Sequence, residues 1–167
     1  ILDRKNELIR PAVANIDQSL VVFAVMRPDP NINLLDRFLV MMERQDVPVI
    51  ICFNKVDLVP EEELIELRDT YVNAGYHVIF TSTLNGNGVE DVKRILIGKT
   101  TAFAGPSGVG KSSMLNAIIP DANSETGGIS EKIGRGKNTT RHTEIFNLED
   151  ETYIMDTPGF TSLYTND

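Results

Sequence analysis

Apolar runs and helical stripes alternate along this chain. Residues 19–25 (SLVVFAV) form an unbroken apolar run rich in β-branched side chains, the pattern of a strand covered on both faces of a parallel sheet. Residues 47–53 repeat it. Between them Leu34, Leu35, Phe38, Leu39 and Met42 recur at helical spacing, and Asn33 stands where an N-cap would accept the first free amide. A second helix is expected after Pro60, where Glu61, Glu62 and Glu63 suit the positive end of a helix dipole. Its expected buried stripe is Leu64, Leu67, Tyr71 and Val72, and Gly75 ends it. Residues 76–81 predict a third strand, 88–96 a short helix, and 100–104 a fourth strand that runs straight into a glycine-rich loop. Residues 111–119 follow as a helix. From 121 to 141 the chain is polar and glycine-containing, with the little periodicity of a mobile loop. Strands at 143–148 and 152–155, joined by the acidic turn Glu149-Asp150-Glu151, close the pattern.

This alternation predicts an α/β domain with a mostly parallel sheet and helices on both faces. A length of 167 residues suits one such domain with a sizeable core. The chain opens at Ile1 without a Met, and a domain cut from a longer protein is the expectation. No apolar run reaches the eighteen or so residues of a membrane span, so no membrane partner is expected. A lone cysteine, Cys52, and two histidines leave no ligand set for structural zinc, and a reducing, cytoplasmic setting fits. The formal net charge of −8 argues against a broad nucleic-acid-binding surface. Locally Lys132, Arg135, Lys137 and Arg141, with His142 beside them, reverse that sign. They read either as a solvated loop or as a contact to phosphate or RNA.

Two short motifs carry the chemistry. Gly105-Pro106-Ser107-Gly108-Val109-Gly110-Lys111-Ser112 matches Gly-x4-Gly-Lys-Ser/Thr, between a predicted strand and a predicted helix as a P-loop requires. Its glycines let successive amides turn toward phosphates, and the helix beginning near Lys111 adds its positive end. Residues 105–112, with Ser113, are therefore the expected phosphate cradle. Lys111 would reach the β- and γ-phosphates, and the Ser112 hydroxyl would ligate Mg²⁺. Asn54-Lys55-Val56-Asp57 sits just past the second strand, at the carboxyl edge where α/β sheets bind ligands. A carboxylate at Asp57 can accept from both N1–H and N2–H of guanine, whereas adenine offers neither donor. Asn54 can bridge toward the phosphate loop, and the Lys55 stem can cover the base.

Weaker signals surround these. Asp156-Thr157-Pro158-Gly159 follows the last strand, where Asp156 would hold Mg²⁺ through water and the Gly159 amide would sense the γ-phosphate. Thr140, chosen over Thr139, is the candidate to close on Mg²⁺ when GTP is bound, with an N-cap or plain loop role as the alternative. Thr81-Ser82-Thr83 could offer a backbone amide to the guanine O6, or simply end a strand; Ser82 and Thr83 are the candidates. Lys111 and Thr140 are the expected catalytic groups. Because Asn54–Asp57 precedes the P-loop by about fifty residues, the motif order is that of a circularly permuted three-layer P-loop NTPase fold. Such a cut is allowed where the original termini lie close together.

Arg10-Pro11-Ala12-Val13-Ala14-Asn15-Ile16-Asp17, the GPSGVGKSS segment from Gly105, residues 134–141 and DTPGF together resemble the ribosome small subunit-dependent GTPase family, RsgA or YjeQ. The resemblance covers essentially the whole chain. It implies hydrolysis of GTP to GDP and phosphate with Mg²⁺, stimulated by the small ribosomal subunit, during late maturation of that subunit and in contact with its rRNA. It also implies an amino-terminal OB-fold domain and a carboxyl-terminal zinc domain, neither contained in these 167 residues, so zinc is expected only there. A monomer is expected. Phe160 stands where many GTPases place a water-orienting glutamine, and Asn138 where family members often carry a histidine. Slow hydrolysis without the ribosome follows. The other readings are a nucleotide-dependent binding switch with negligible hydrolysis and a permuted GTPase of large-subunit assembly; Ser107 and residues 10–17 favour the small-subunit family.

Overall fold

The structure, a computed structural model, describes residues 16–119, 144–149 and 151–156. Six strands form one sheet: β1 (Gln18–Ala24), β2 (Val49–Asn54), β3 (His77–Phe80), β4 (Thr100–Ala104), β5 (Glu144–Glu149) and β6 (Thr152–Asp156). Their spatial order is β3-β2-β1-β4-β6-β5. Every neighbouring pair is parallel except the β5–β6 hairpin. Four helices are described: α1 (Ile32–Arg44), α2 (Glu61–Asn73), α3 (Val89–Leu96) and α4 (Lys111–Ile118).

Strand alternation sorts β1 between two cores. Leu20, Val22 and Ala24 join residues of α3 and α4 on one face, while Val21, Phe23 and Val25 join residues of α1 and α2 on the other. All of β1 is buried, which is why residues 20–24 are apolar without interruption. Each buried Val, Leu or Phe among them contributes about 1.5–3 kcal/mol on burial. Helices on both faces of a mostly parallel sheet give the three layers expected. Among the described residues no helix is long and apolar enough to cross a membrane.

Element borders shift for identifiable reasons. β2 begins at Val49, not at residue 47, because Pro48 has no N–H for the ladder; its carbonyl instead accepts from Ser19 N at 2.9 Å. β3 begins after Tyr76, whose amide closes α2 by donating to Tyr71 O at 3.0 Å while Gly75 N donates to Val72 O at 2.9 Å. That pairing, with Gly75 at φ +100°, is a Schellman ending. The cap of α1 is Asn31, not Asn33: the Asn31 side chain accepts from Leu34 N at 3.0 Å, and Asn33 lies inside the first turn. The stripe of α2 is less buried than its spacing predicts. Only Tyr71 is fully buried; Leu64 and Leu67 are half-covered, and Val72, one position around from Tyr71, is 47% exposed. The expected loop at 121–141 lies outside the described residues.

Replacing Asn31 by Ala removes the acceptor at the start of α1 and is expected to lower stability by about 1 kcal/mol, whereas Asn33→Ala should change it by a few tenths. Urea denaturation of the two variants distinguishes them, and equal losses would contradict the cap assignment.

Candidate nucleotide-binding site

Five parallel strands end at one edge of the sheet, and the motif segments lie there. The glycine-rich loop leaves β4 at Gly105, where an added Cβ would stand 2.6 Å from the Val22 carbonyl oxygen. Only glycine lets the chain pass so close to β1. Gly108 and Gly110 turn the loop with φ of +86° and +98°, the left-handed region that disfavours other residues. Gly110 is the cap position of α4, no side chain caps that helix, and its first amides face the loop's end of the sheet. Lys111, Ser112 and Ser113 form its first turn.

From β2 the Asn54-Lys55-Val56-Asp57 segment reaches the same loop. Asn54, 1% exposed, donates from Nδ2 to the Val109 carbonyl at 3.0 Å and accepts at Oδ1 from the Thr81 hydroxyl at 2.8 Å. The Cys52 thiol lies 3.4 Å from that hydroxyl. Since the Thr81 proton goes to Asn54, the thiol is the donor to Thr81; burial pushes the Cys52 pKa up to about 12, which keeps that proton in place. Lys55 takes a left-handed conformation at φ +65° and sends Nζ to the carbonyls of Gly108 at 2.9 Å and Arg27 at 2.5 Å. Asp57 lies in the short 3₁₀ turn Val56–Leu58, and Ser82 Oγ donates to its Oδ1 at 2.7 Å. A Cβ on Gly110 would meet Asn54 Nδ2 at 2.3 Å, so the two motifs are in direct contact.

On the other side of the loop, Lys111 Nζ pairs with Asp156 Oδ1 at the end of β6, with side chains only 15% and 12% exposed. Lysine, hydroxyl and carboxylate are thereby gathered around the start of α4. One hydroxyl and one carboxylate suit Mg²⁺, which keeps several waters and needs few protein ligands. Among the described residues no cluster of three His, Cys, Asp or Glu side chains forms a metal cage.

Several expected participants fall outside the described residues: Thr139, Thr140, Gly159, Phe160, Asn138, and the basic set Lys132, Arg135, Lys137 and Arg141. Others have roles the motifs did not disclose. Ser82 was expected to offer its amide to a base, but that amide donates to Asn87 O at 2.9 Å and its hydroxyl holds Asp57 instead. Thr81 acts through its side chain. The loop after β1 was not a candidate, yet its Arg27 carbonyl anchors Lys55; the only signal was the Pro-Asp-Pro punctuation at residues 28–30.

The chain matches the RsgA GTPase family across residues 1–166. It is 63% identical over 163 residues to a small ribosomal subunit biogenesis GTPase RsgA of Agathobacter rectalis, covering 98% of this chain and 54% of that protein. The protein of the same name from Alkaliphilus metalliredigens is 55% identical, with 98% and 56% covered. The chain thus spans about half the length of the curated relatives it matches. Among solved structures, YjeQ from Thermotoga maritima superposes with a TM-score of 0.68 at 32% identity, covering 89% of this chain and 50% of that one. YloQ, described as a circularly permuted GTPase, gives 0.65 at 38% identity, with 92% and 48% covered.

Thr81→Val keeps the shape but leaves Asn54 Oδ1 buried without its donor, an expected loss of about 1–3 kcal/mol in chemical denaturation. Thr81→Ser, which restores the hydroxyl, should recover most of it. If Val and Ser cost the same, methyl packing and not the hydrogen bond holds the carboxamide.

Proposed function

The chain belongs to the RsgA GTPase family, and from that premise we propose that residues 1–167 act as the guanine-nucleotide-binding and GTP-hydrolysing unit of a longer protein that assists maturation of the small ribosomal subunit. One observation carries the reading: the bond of 3.0 Å from Asn54 Nδ2 to the Val109 carbonyl. It supports a single nucleotide spanning the proposed guanine-reading motif and the phosphate loop.

In this proposal the amides of residues 105–112 and of Ser113 surround the phosphates, and Lys111 leaves Asp156 to bridge the β- and γ-phosphoryl oxygens. Asp57, held by the Ser82 hydroxyl, accepts from N1–H and N2–H of guanine, and the Thr83 amide approaches O6. The Lys55 stem lies along the base plane while its ammonium stays tied to the loop. The Ser112 hydroxyl, Thr140 and, through water, Asp156 would hold Mg²⁺, which would supply charge neutralisation on the phosphates. The Gly159 amide senses the γ-phosphate. Phe160 cannot orient an attacking water, so hydrolysis waits for a group that the ribosome supplies or orders. The basic residues Lys132, Arg135, Lys137 and Arg141 are the proposed rRNA contact, and the chain works as a cytoplasmic monomer. The names of the relatives support the small over the large subunit as partner.

Asp57→Asn exchanges an acceptor for a donor and is expected to turn preference from GDP toward xanthosine diphosphate, by an order of magnitude or more. Affinities for the two fluorescently tagged diphosphates test it, and an unchanged guanine preference would remove Asp57 from the base site. Lys111→Ala should weaken GTP binding at least about tenfold. Without ribosomes the chain should hydrolyse GTP at about 10⁻² per second or slower. Single-turnover assays with and without small subunits measure this, and an equal rate in both arms would defeat ribosome stimulation.

A further inference from the structure

Helix α2 presents an apolar stripe that the domain does not finish covering. Between it and the start of α1 opens a cleft of about 530 Å³. Pro30, Ile32, Val59, Leu64 and Leu67 form its walls. Tyr71 closes it below, where its hydroxyl donates to Asp36 Oδ1 at 3.0 Å. Ile32 in its wall is 38% exposed. The rim is acidic. Glu63 and Glu66, a helical turn apart and both exposed, line the cleft, and among the described residues no Lys or Arg does. Glu61, Glu62 and Asp69 extend that charge along α2, against Arg68 alone, which pairs with Asp69 at 3.5 Å.

We infer that this groove docks a basic amphipathic segment of a protein partner. Apolar side chains of the segment enter between Leu64, Leu67 and Ile32, and flanking Lys or Arg side chains meet Glu63 and Glu66. Charge selects the class of occupant. A nucleic acid would bring phosphates against a row of carboxylates and lose the counterion release that drives its binding. A second copy packed symmetrically would set one acidic rim against the same rim, a like-charge contact that costs affinity. A cationic segment with an apolar face matches both the rim and the floor. The position also matters. Pro30 lines this groove and also the adjoining cleft beside Pro106 and Ser107, so an occupant would press on the strap whose Arg27 carbonyl receives Lys55. This inference stands apart from the nucleotide reading, since none of its residues is among those proposed to bind the nucleotide.

The probe is a fluorescein-labelled helical peptide of about fourteen residues, with leucines on one face and lysines on the other, titrated with the 167-residue chain by fluorescence anisotropy. Saturable binding is expected, weakened about threefold to tenfold by combined Glu63→Gln and Glu66→Gln. Ile32→Ser should weaken it as well, and Glu90→Gln with Asp91→Asn on the opposite layer should leave it unchanged. Amide NMR shifts confined to α2 and the start of α1 would support the assignment. Equal weakening by the opposite-layer variant would overturn it, because bulk charge would then account for the binding. Saturation by a leucine–glutamate peptide, site-dependent binding of a single-stranded RNA oligomer, or self-association lost in Ile32→Ser would each overturn it too.

Discussion

The site depends on one carboxamide. Asn54 is sealed between the ends of β2, β3 and the phosphate loop, with both ends of its amide engaged: Nδ2 on the Val109 carbonyl and Oδ1 on the Thr81 hydroxyl. The Val109 carbonyl, which can only accept, selects the orientation of this buried amide, since turning it over would set Oδ1 against that carbonyl, acceptor against acceptor. That fixes the distance between the Asn54–Asp57 segment and the glycine-rich loop, the proposed base and phosphate contacts. Gly110 shows how close the fit is, since a single methyl there would collide with the same nitrogen. The Cys52 thiol, held protonated by burial, completes a chain of donors running from the sheet interior to the loop.

Connectivity hardly enters this arrangement. β1 lies at the centre of the sheet, and the chain goes first to β2 and β3 on one side before crossing to β4 and β6 on the other. The crevice between β1 and β4 is where successive connections diverge, and α/β sheets bind ligands at such a point. Parallel register puts all five carboxyl ends at the same edge whichever strand comes first in sequence. A permuted chain can therefore assemble the same edge, because the contacts that make it are between neighbouring strands and not between neighbouring residues.

Much of this was legible in the residues, and the failures have physical causes. Strands buried on both faces read clearly, since an unbroken apolar run such as 19–25 suits a doubly covered strand and little else, and the P-loop was readable because its glycines are required by φ and by approach to β1. Local chemistry was harder. Asn33 and Asn31 are equivalent caps in sequence, and only the chain's entry angle selects Asn31. Periodicity gave α2 a buried stripe but could not show that its neighbours stop short of Leu64 and Leu67. Thr81 and Ser82 read as a strand end because their partners, Asn54 and Asp57, are 27 and 25 residues away. The Arg27 carbonyl carries no side-chain signal at all, being a backbone group placed by a loop.

The remaining constraint is charge. Lys111 and Asp156 are both largely withdrawn from water, and an ion so placed is costly unless a partner of opposite sign stays beside it. Here each is the other's partner. In the proposed reading, a polyphosphate that drew Lys111 away would leave the Asp156 carboxylate in want of a cation, and a divalent ion at Asp156 would release the lysine for an anion. Binding of the two ligands would then be linked through the sharing of one pair, and by reciprocity each would raise affinity for the other. The linkage needs no movement of the sheet, because β4, β6 and the start of α4 already hold both charges at one edge, with the loop clamped by Asn54 and Lys55 from the opposite side.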